Sequence, residues 1–523
     1  MALSKYIHTI RYLTATQIYH QVKYRLFKPK ILSYYLSSKQ PQTSTLKFTI
    51  SPPIIRIWDG YLEFDILNQK KKFEKNIEWS YSENGKLWNY NLQYCNYILQ
   101  EDVSDELKSN IIRSLYRSLI DGDIPLEPYP SSLRIINIIR WLNHCPKNLR
   151  DELTPYVHAE TLFLKNRIEY HLLGNHLLEN AFSLILSGAF FQNKNLVIDA
   201  EKILEKQLDE QILEDGAHFE LSPMYHNIIL FRVLELLDWY SKWKGKNANF
   251  ETFIRGKAGA MINWLKQIRF RNGDIPHFND SADQIAYPTQ WLMNYAQLLG
   301  IQAKEFSLGE SGYRSFHNNL YEIKIDMAQI GPSYQPGHAH ADTLSFILYY
   351  QSRPLFVEQG TSTYQISKRR QLERSTEAHN TVVVNNKNQS DVWGGFRVGR
   401  RAKTTIFIDN HNTFEARHDG YLRFGTFHRR KFECKDNSVQ IQDTLSSDKE
   451  GVCYYHLVPG KKYSKLDHER YQIGDNILLK LRGSSFTEIE TYTFARTFNQ
   501  YQTGERLKIT FKGTLTTVIE FKE

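Results

Sequence analysis

The sequence predicts a multidomain α+β chain, helical through its first half and antiparallel β through its second. Three observations carry that expectation. From Glu101 to about Leu299 apolar residues recur at helical spacing. After about Ser307 the text turns to short runs rich in β-branched and aromatic residues, separated by Gly, Asn and Asp. At 523 residues the chain also exceeds one ordinary core, so two main domains are expected. No Pro-rich or Ser-rich linker marks the change. Boundaries are expected at 1–50 for a basic helical segment, 51–306 for the helical domain and 307–523 for the β domain.

The first stretch, Met1–Lys30, carries Lys5, Arg11, Lys23, Arg25, Lys28 and Lys30 and no acid. Its apolar residues, such as Ile7, Ile10, Leu13 and Ile18, are too interrupted for a secretory h-region. A basic helix of this kind could lie on an anionic membrane surface or pack on its own domain. No apolar run is long enough to span a bilayer. The expected location is cytoplasmic, peripheral at the inner membrane face. Pro52–Tyr97 is irregular and aromatic, which suits an ordered entry segment.

Helices are then expected at Asp105–Leu119, Pro130–Leu142, Pro155–Leu172, Asn175–Phe190, Leu196–Leu213, Pro223–Trp243, Phe250–Ile268 and Pro288–Leu299. The breaks between them hold Gly, Pro, Asn or Asp, as helix ends should. Such a series suits an α-hairpin toroid or an α-solenoid, and no repeated motif supports the solenoid. In the second half Leu320–Ile325, Thr343–Tyr350, Thr404–Ile408, Val439–Gln442, Val452–Leu457, Ile477–Leu481, Thr487–Phe494 and Thr516–Phe521 read as strands of an antiparallel sandwich.

A formal charge of +9 and a pI near 9.0 suggest an anionic partner: nucleic acid, a membrane surface or an acidic polysaccharide. Nucleic acid is the weakest of these, because Lys and Arg are interleaved with acids. The chain has no Walker A sequence, Rossmann fingerprint or HExxH, so no organic cofactor is expected. Cys95, Cys145, Cys434 and Cys453 are scattered, which is neither a disulfide framework nor a thiolate zinc site. One bridge, Cys434 to Cys453, stays open.

The chemistry concentrates in Gln335–Thr381. His338 and His340 stand two apart before a predicted strand, so an extended backbone would send both imidazoles to one face. Glu358 ends a second strand, Gly360 allows a sharp exit, and His379 precedes the apolar run Val382–Val384. Three imidazoles and a carboxylate could make a divalent-metal site, an acid/base site, or both. Two further motifs lie on the helical half. In Gly174–Asn180, His176 and Glu179 share a helix face, and Asn175 could be an N-cap. In Asp215–His226, Ser222 and Pro223 suit an N-cap and first helical position, which puts Tyr225 and His226 in the first turn.

Taken in order, these stretches resemble the heparinase II/III-like polysaccharide lyases. The resemblance runs from about Ile57 to the end. It is carried by Leu87–Tyr94, Pro128–Leu142, Gly174–Asn180, Glu214–His226, Gly337–Phe346, Glu358–Tyr364 and Ala378–Thr381. It implies an incomplete α/α-toroid followed by an antiparallel β-sandwich, and cleavage of a uronic-acid glycan by β-elimination. By the same resemblance Asn175 contacts the uronate carboxylate with His176 and Glu179 as supports. Tyr225 is the acid, and for some substrates also the base, while His338 is the catalytic imidazole. His340 and His379 resemble two ligands of one structural zinc; Glu358 stands where the family commonly has Asp. Glu179, His226, Tyr364, Arg370 and Arg374 are expected to line anionic subsites. Two rivals remain: a glycoside hydrolase using Glu220 and Asp215, and a non-catalytic protein that binds or assembles an acidic glycan.

Overall fold

The computed structural model describes residues 2–53, 58–304 and 306–522; Ile57, where the resemblance begins, lies outside them. The helices in chain order are α1 (Ala2–Ile10), α2 (Ala15–Leu26), α3 (Lys86–Tyr94), α4 (Asp105–Asp121), α5 (Pro128–Leu142) and α6 (Lys147–Asn166). They continue as α7 (Gly174–Phe190), α8 (Lys194–Gln211), α9 (Pro223–Lys242), α10 (Ala248–Ile268), α11 (Thr289–Leu298) and α12 (Lys368–Glu373). Two compact units result. A helical unit is Thr14–Gln211 with Phe231–Ala258, and a β unit is Met1–Leu13, Ile212–Leu230 and Gly259–Glu523. Helices give way to strands between Leu298 and Tyr313, whereas the compact units divide the chain earlier.

In the helical unit α5 is the hub. Its 15 residues bury 13 side chains, and it packs against α3, α6 and α7, with α8 beyond on α7. Such succession of neighbouring antiparallel helices makes the arc of an α/α-toroid. A cation inside this apolar setting is tolerable only when paired. Arg134 meets that condition: it forms an ion pair with Glu160 of α6, which also accepts from the Tyr116 hydroxyl at 2.9 Å.

One expected helix is displaced. Pro155 was expected to start a helix, yet α6 begins at Lys147 and carries Pro155 inside it. A proline there frees the carbonyl four residues back. The Gln40 amide donates to that Asp151 carbonyl at 2.7 Å, which replaces the missing helical bond.

The strands follow the expected order. They are β1 (Glu63–Ile66), β2 (Gln69–Lys72), β3 (Tyr313–His317), β4 (Tyr321–Asp326), β5 (Phe346–Tyr350), β6 (Arg353–Phe356), β7 (Val382–Val384), β8 (Val392–Trp393) and β9 (Arg397–Val398). Then come β10 (Thr404–Asp409), β11 (Thr413–His418), β12 (His428–Lys435), β13 (Ser438–Leu445), β14 (Glu450–His456), β15 (Tyr463–Lys465), β16 (Arg470–Ile473), β17 (Ile477–Phe494) and β18 (Gln502–Phe521). One antiparallel sheet runs β3-β4-β5-β6. The other runs β10-β11-β12-β13-β18-β17-β16-β15, with β14 on β18 and β7 on β14. Both sheets feed one apolar core, where Ile323, Leu348 and Phe356 meet Phe432, Ile441, Tyr455 and Leu507. That is a β-sandwich.

Two runs expected as separate strands fuse into β17. Its ladder with β18 shifts register around Arg482–Phe486 and then resumes. Gly483 makes this possible, with φ +90° and no room for a Cβ beside the Thr514 carbonyl. All four cysteines are free and buried, so the open question of a Cys434–Cys453 bridge is answered in the negative.

Candidate active site

The site in the β unit is assembled by a loop that joins two motifs. At the start of α9 the Ser222 hydroxyl accepts from the Tyr225 N–H at 3.2 Å, the N-cap that Ser-Pro implies. The same hydroxyl donates to the Asp280 carbonyl at 2.6 Å, and the Asn279 amide donates to the Leu221 carbonyl at 2.9 Å. From its other side the loop takes hold of the histidine motif. The Asp280 N–H donates to the His338 carbonyl at 3.0 Å, and the His340 N–H to the Asn279 side chain at 2.8 Å. Residues 279–281 thus tie the first turn of α9 to the His338–His340 segment.

Side-chain chemistry follows from that tie. The rings of Tyr225 and His338 stack at 3.8 Å between centroids, and the Tyr225 and Tyr364 hydroxyls lie 3.3 Å apart. Phe396 stands edge-on to His338 and Tyr364. Although the segment is not a strand, both imidazoles of the pair do turn one way, onto Asp280. His338 Nδ1 is 3.0 Å and His340 Nε2 2.8 Å from its carboxylate, and Arg370 pairs with it from a third direction. Burial alone would raise the Asp280 carboxyl. The Arg370 guanidinium and the two imidazole donors outweigh burial and hold it well below the usual carboxylate range. An ionised Asp280 accepts from His338 Nδ1, and Nε2 lies 3.7 Å from Glu220. Burial, then Tyr364, Asp280 and Glu220, push the Tyr225 phenol well above its ordinary value. The phenol therefore holds its proton at neutral pH.

A second cluster could hold a metal ion. His340 donates through Nε2 to Asp280, which leaves its buried Nδ1 without a partner. His379 is bonded through Nδ1 to Glu358, which leaves its buried Nε2 without one. Burial pushes the first imidazole down to about 4 and the second well below its usual value, so both are neutral and present bare lone pairs. The third group drawn to them is Asp342: one ligand atom from each of His340, Asp342 and His379 lies within 4.8 Å of the others. Burial raises the Asp342 carboxyl, a penalty a divalent cation would reverse. Two imidazoles and a carboxylate are the donor set zinc takes. Glu358, expected as the third ligand, stands one contact outside and orients His379, the usual place of a carboxylate behind a metal-binding histidine.

Several expected contacts are structural instead. Arg370 and Arg374 have no exposed surface. Arg370 is committed to Asp280, and Arg374 donates to the carbonyls of Ala339 and Gly395 at 2.9 and 3.2 Å, so neither lines an anionic subsite. His226 is buried and saturated, with Nδ1 accepting from the His218 N–H and Nε2 bonded to the Met261 carbonyl. Tyr364, at the site, is the exception. The hydrolase pair fails on Asp215, whose carboxylate takes the N–H groups of Ala217, Gly309 and Ser311 and the Ser311 hydroxyl.

In the helical unit Asn175 is buried in the first turn of α7, whose N-cap is Leu173 at φ +64°, so Asn175 is not the cap. Glu179 is buried and bonded to Arg232 at 3.0 Å, away from any subsite role. The support of His176 is Glu169, 3.3 Å from its Nδ1, and Glu169 is itself held by the Asn180 amide at 3.1 Å. His176 also stacks on Tyr129 at 4.4 Å. Sequence reasoning missed Asp280, Glu169 and Asp342. Of these, only Asp342 lies inside a motif the sequence marks out, Gly337–Phe346, two residues beyond His340.

Fold and site define a toroid-plus-sandwich protein with a stacked imidazole–phenol pair in its β unit. The family model described as Heparinase II/III N-terminus matches residues 144–305, and that described as Heparinase II/III-like, C-terminal matches residues 301–522. Together they take in the chain from 144 to 522, and the chain belongs to the heparinase II/III-like family. It is 27% identical over 325 residues to a heparin-sulfate lyase of Bacteroides stercoris, covering 55% of this chain and 46% of that protein. It is 25% identical over 278 residues to a heparin-sulfate lyase of Pedobacter heparinus, covering 46% and 40%. The chain therefore spans under half the length of these curated relatives. The solved structure of heparinase III matches 94% of the chain and 88% of its own, with a TM-score of 0.70 at 15% identity, which shows the shared fold.

Proposed function

We propose that the chain is a polysaccharide lyase that cleaves a uronic-acid-containing anionic glycan by β-elimination. The observation that carries this is the Tyr225–His338 stack, with Asp280 fixing the imidazole tautomer. The likeness to the heparin-sulfate lyases of Bacteroides stercoris and Pedobacter heparinus supports it. His338 Nε2 takes the C5 proton of the uronate, and Asp280 stabilises the imidazolium that forms. The electron pair becomes the C4–C5 double bond as the C4–O4 bond breaks. Tyr225 donates its proton to the departing oxygen. Neither group carries a permanent negative charge that would repel a polyanion. By resemblance alone, Asn175 neutralises the uronate carboxylate, without which the C5 proton is too weakly acidic to leave.

His340, Asp342 and His379 are the residues that would hold one zinc. Bound there by protein groups, zinc would brace the loops before β5 and β7 rather than act as a Lewis acid. The polymer is proposed to be an exopolysaccharide or capsule in synthesis at the inner face of a membrane, supported by the acid-free basic stretch Met1–Lys30.

The test is ultraviolet absorbance of the conjugated uronate product over a panel of heparan sulfate, chondroitin, hyaluronan, alginate and capsular glycans. One substrate should give a rise that Tyr225→Phe lowers by about 10²–10⁴-fold. Reducing ends released without that chromophore would mean hydrolysis.

A further inference from the structure

We propose that the outer face of α2, with the turn behind it, is a docking surface for an anionic lipid bilayer. The helix is inverted for a globular protein. Its inward contacts are polar or aromatic: the buried Gln17 donates to the Leu172 carbonyl at 3.3 Å and the Tyr24 hydroxyl to the Ile168 carbonyl at 2.6 Å. His20 packs on Tyr170. The apolar residues Ile18, Tyr19, Val22 and Leu26 recur at helical spacing on the other side, 47%, 63%, 53% and 72% exposed. Phe27, Ile31 and Tyr34 continue the exposed apolar surface past the helix. Among the described residues, 7 of the 23 exposed large apolar side chains fall between Ile18 and Tyr34, so the exposure is concentrated rather than scattered.

Charge identifies the occupant. The first acid in the chain is Asp59, and nine Lys or Arg precede it. Against totals of 66 basic and 57 acidic residues, those nine are the whole formal charge of +9, and beyond them the two signs balance. Lys23, Arg25, Lys28 and Lys30 stand exposed in and just after α2. Apolar side chains about 18 Å along a helix, flanked by cations alone, fit the interface of a bilayer with anionic headgroups. A second copy of the chain fits poorly, since a two-fold contact would bring the same four cations of both copies into one interface. No helix among the described residues is long and apolar enough to cross a membrane, so the contact is peripheral. This deepens the membrane location within the proposed function and is independent of the elimination chemistry, because lipid binding and glycan cleavage are read separately.

The experiment sediments the full chain with vesicles of equal phosphatidylglycerol and phosphatidylcholine, and with phosphatidylcholine alone. Two variants accompany it, one carrying Ile18→Ser, Val22→Ser and Leu26→Ser, the other Lys23→Gln, Arg25→Gln, Lys28→Gln and Lys30→Gln. The wild-type chain should bind anionic vesicles at least about tenfold better than neutral ones. Each variant should lose at least about tenfold while keeping its circular dichroism melt. An unbound wild-type chain overturns the proposal. So does binding that survives the serine substitutions, which would be adsorption by charge alone. A wild-type dimer in gel filtration that the serine variant dissolves, without lipid binding, overturns it in favour of self-association.

Discussion

Four N–H groups converge on the Asp280 carboxylate, one each from His338 and His340 and two from Arg370, and the residue has no exposed surface. Asp280→Asn keeps the shape and removes the charge, so the imidazole tautomer is no longer fixed and Arg370 is left buried without its anion. On the lyase reading kcat should fall by about 10³-fold or more, and stability by about 3–5 kcal/mol. A solely structural carboxylate would lower stability and leave the kcat–pH profile of the surviving activity unchanged, so that profile is the deciding measurement; D280N with an unshifted profile and near wild-type kcat would remove Asp280 from the mechanism. His338 and Tyr225 were legible because each sits in a local motif whose spacing carries chemistry. Asp280 was not, because it lies 58 residues before His338 in a Phe-Asn-Asp-Ser run that reads as an ordinary turn. Arg370 and Arg374 were misread for the converse reason. Arginine is usually exposed, and only the packed structure shows that these two serve a buried carboxylate and backbone carbonyls.

At the scale of elements, hydrophobic period located most helices and strands, and the failures have local causes. Proline favours a first turn, so the reading started a helix at Pro155, yet α6 passes through it with Gln40 supplying the lost bond. Gln40→Ala should therefore cost about 0.5–1 kcal/mol in the wild-type background and nothing beside Pro155→Ala, where the restored N–H takes the Asp151 carbonyl. Urea denaturation of the double-mutant cycle measures this; additive losses would refute the exchange. The metal cluster joins elements too, since His340 and Asp342 precede β5 and His379 precedes β7. Metal analysis of the purified chain should find about one zinc, and chelation should lower the melting midpoint. Asp342→Asn should bind less metal and melt at the same temperature with or without chelator. A chelator shift that persists in that variant would place the metal elsewhere.

Across the whole molecule the proton balance of the β unit sets an acid limit. His218, His226, His340, His379, His418, His428 and His456 are all buried, and burial lowers every one of them, His226 to about 3 and His340 to about 4. A histidine with a depressed native pKa contributes stability that is fully present above about pH 6.5 and is lost as pH falls, because the unfolded chain takes up protons the native one refuses. Asp326, Asp342 and Glu373 work against this: burial raises all three, so they bind protons that the unfolded chain would not hold until about pH 4. With His340, Asp342 and His379 set aside for a metal, five histidines outweigh the two remaining raised carboxylates, Asp326 and Glu373. The remaining balance favours the histidines, so stability falls as pH drops below about 6.5. Urea midpoints followed by circular dichroism from pH 7.5 down to 5 should fall steeply below about pH 6.5. His428→Gln should flatten the slope. A midpoint that stays level through this range would mean that protons reach these imidazoles in the native state, and that the sandwich core is far more open to water than its packing indicates.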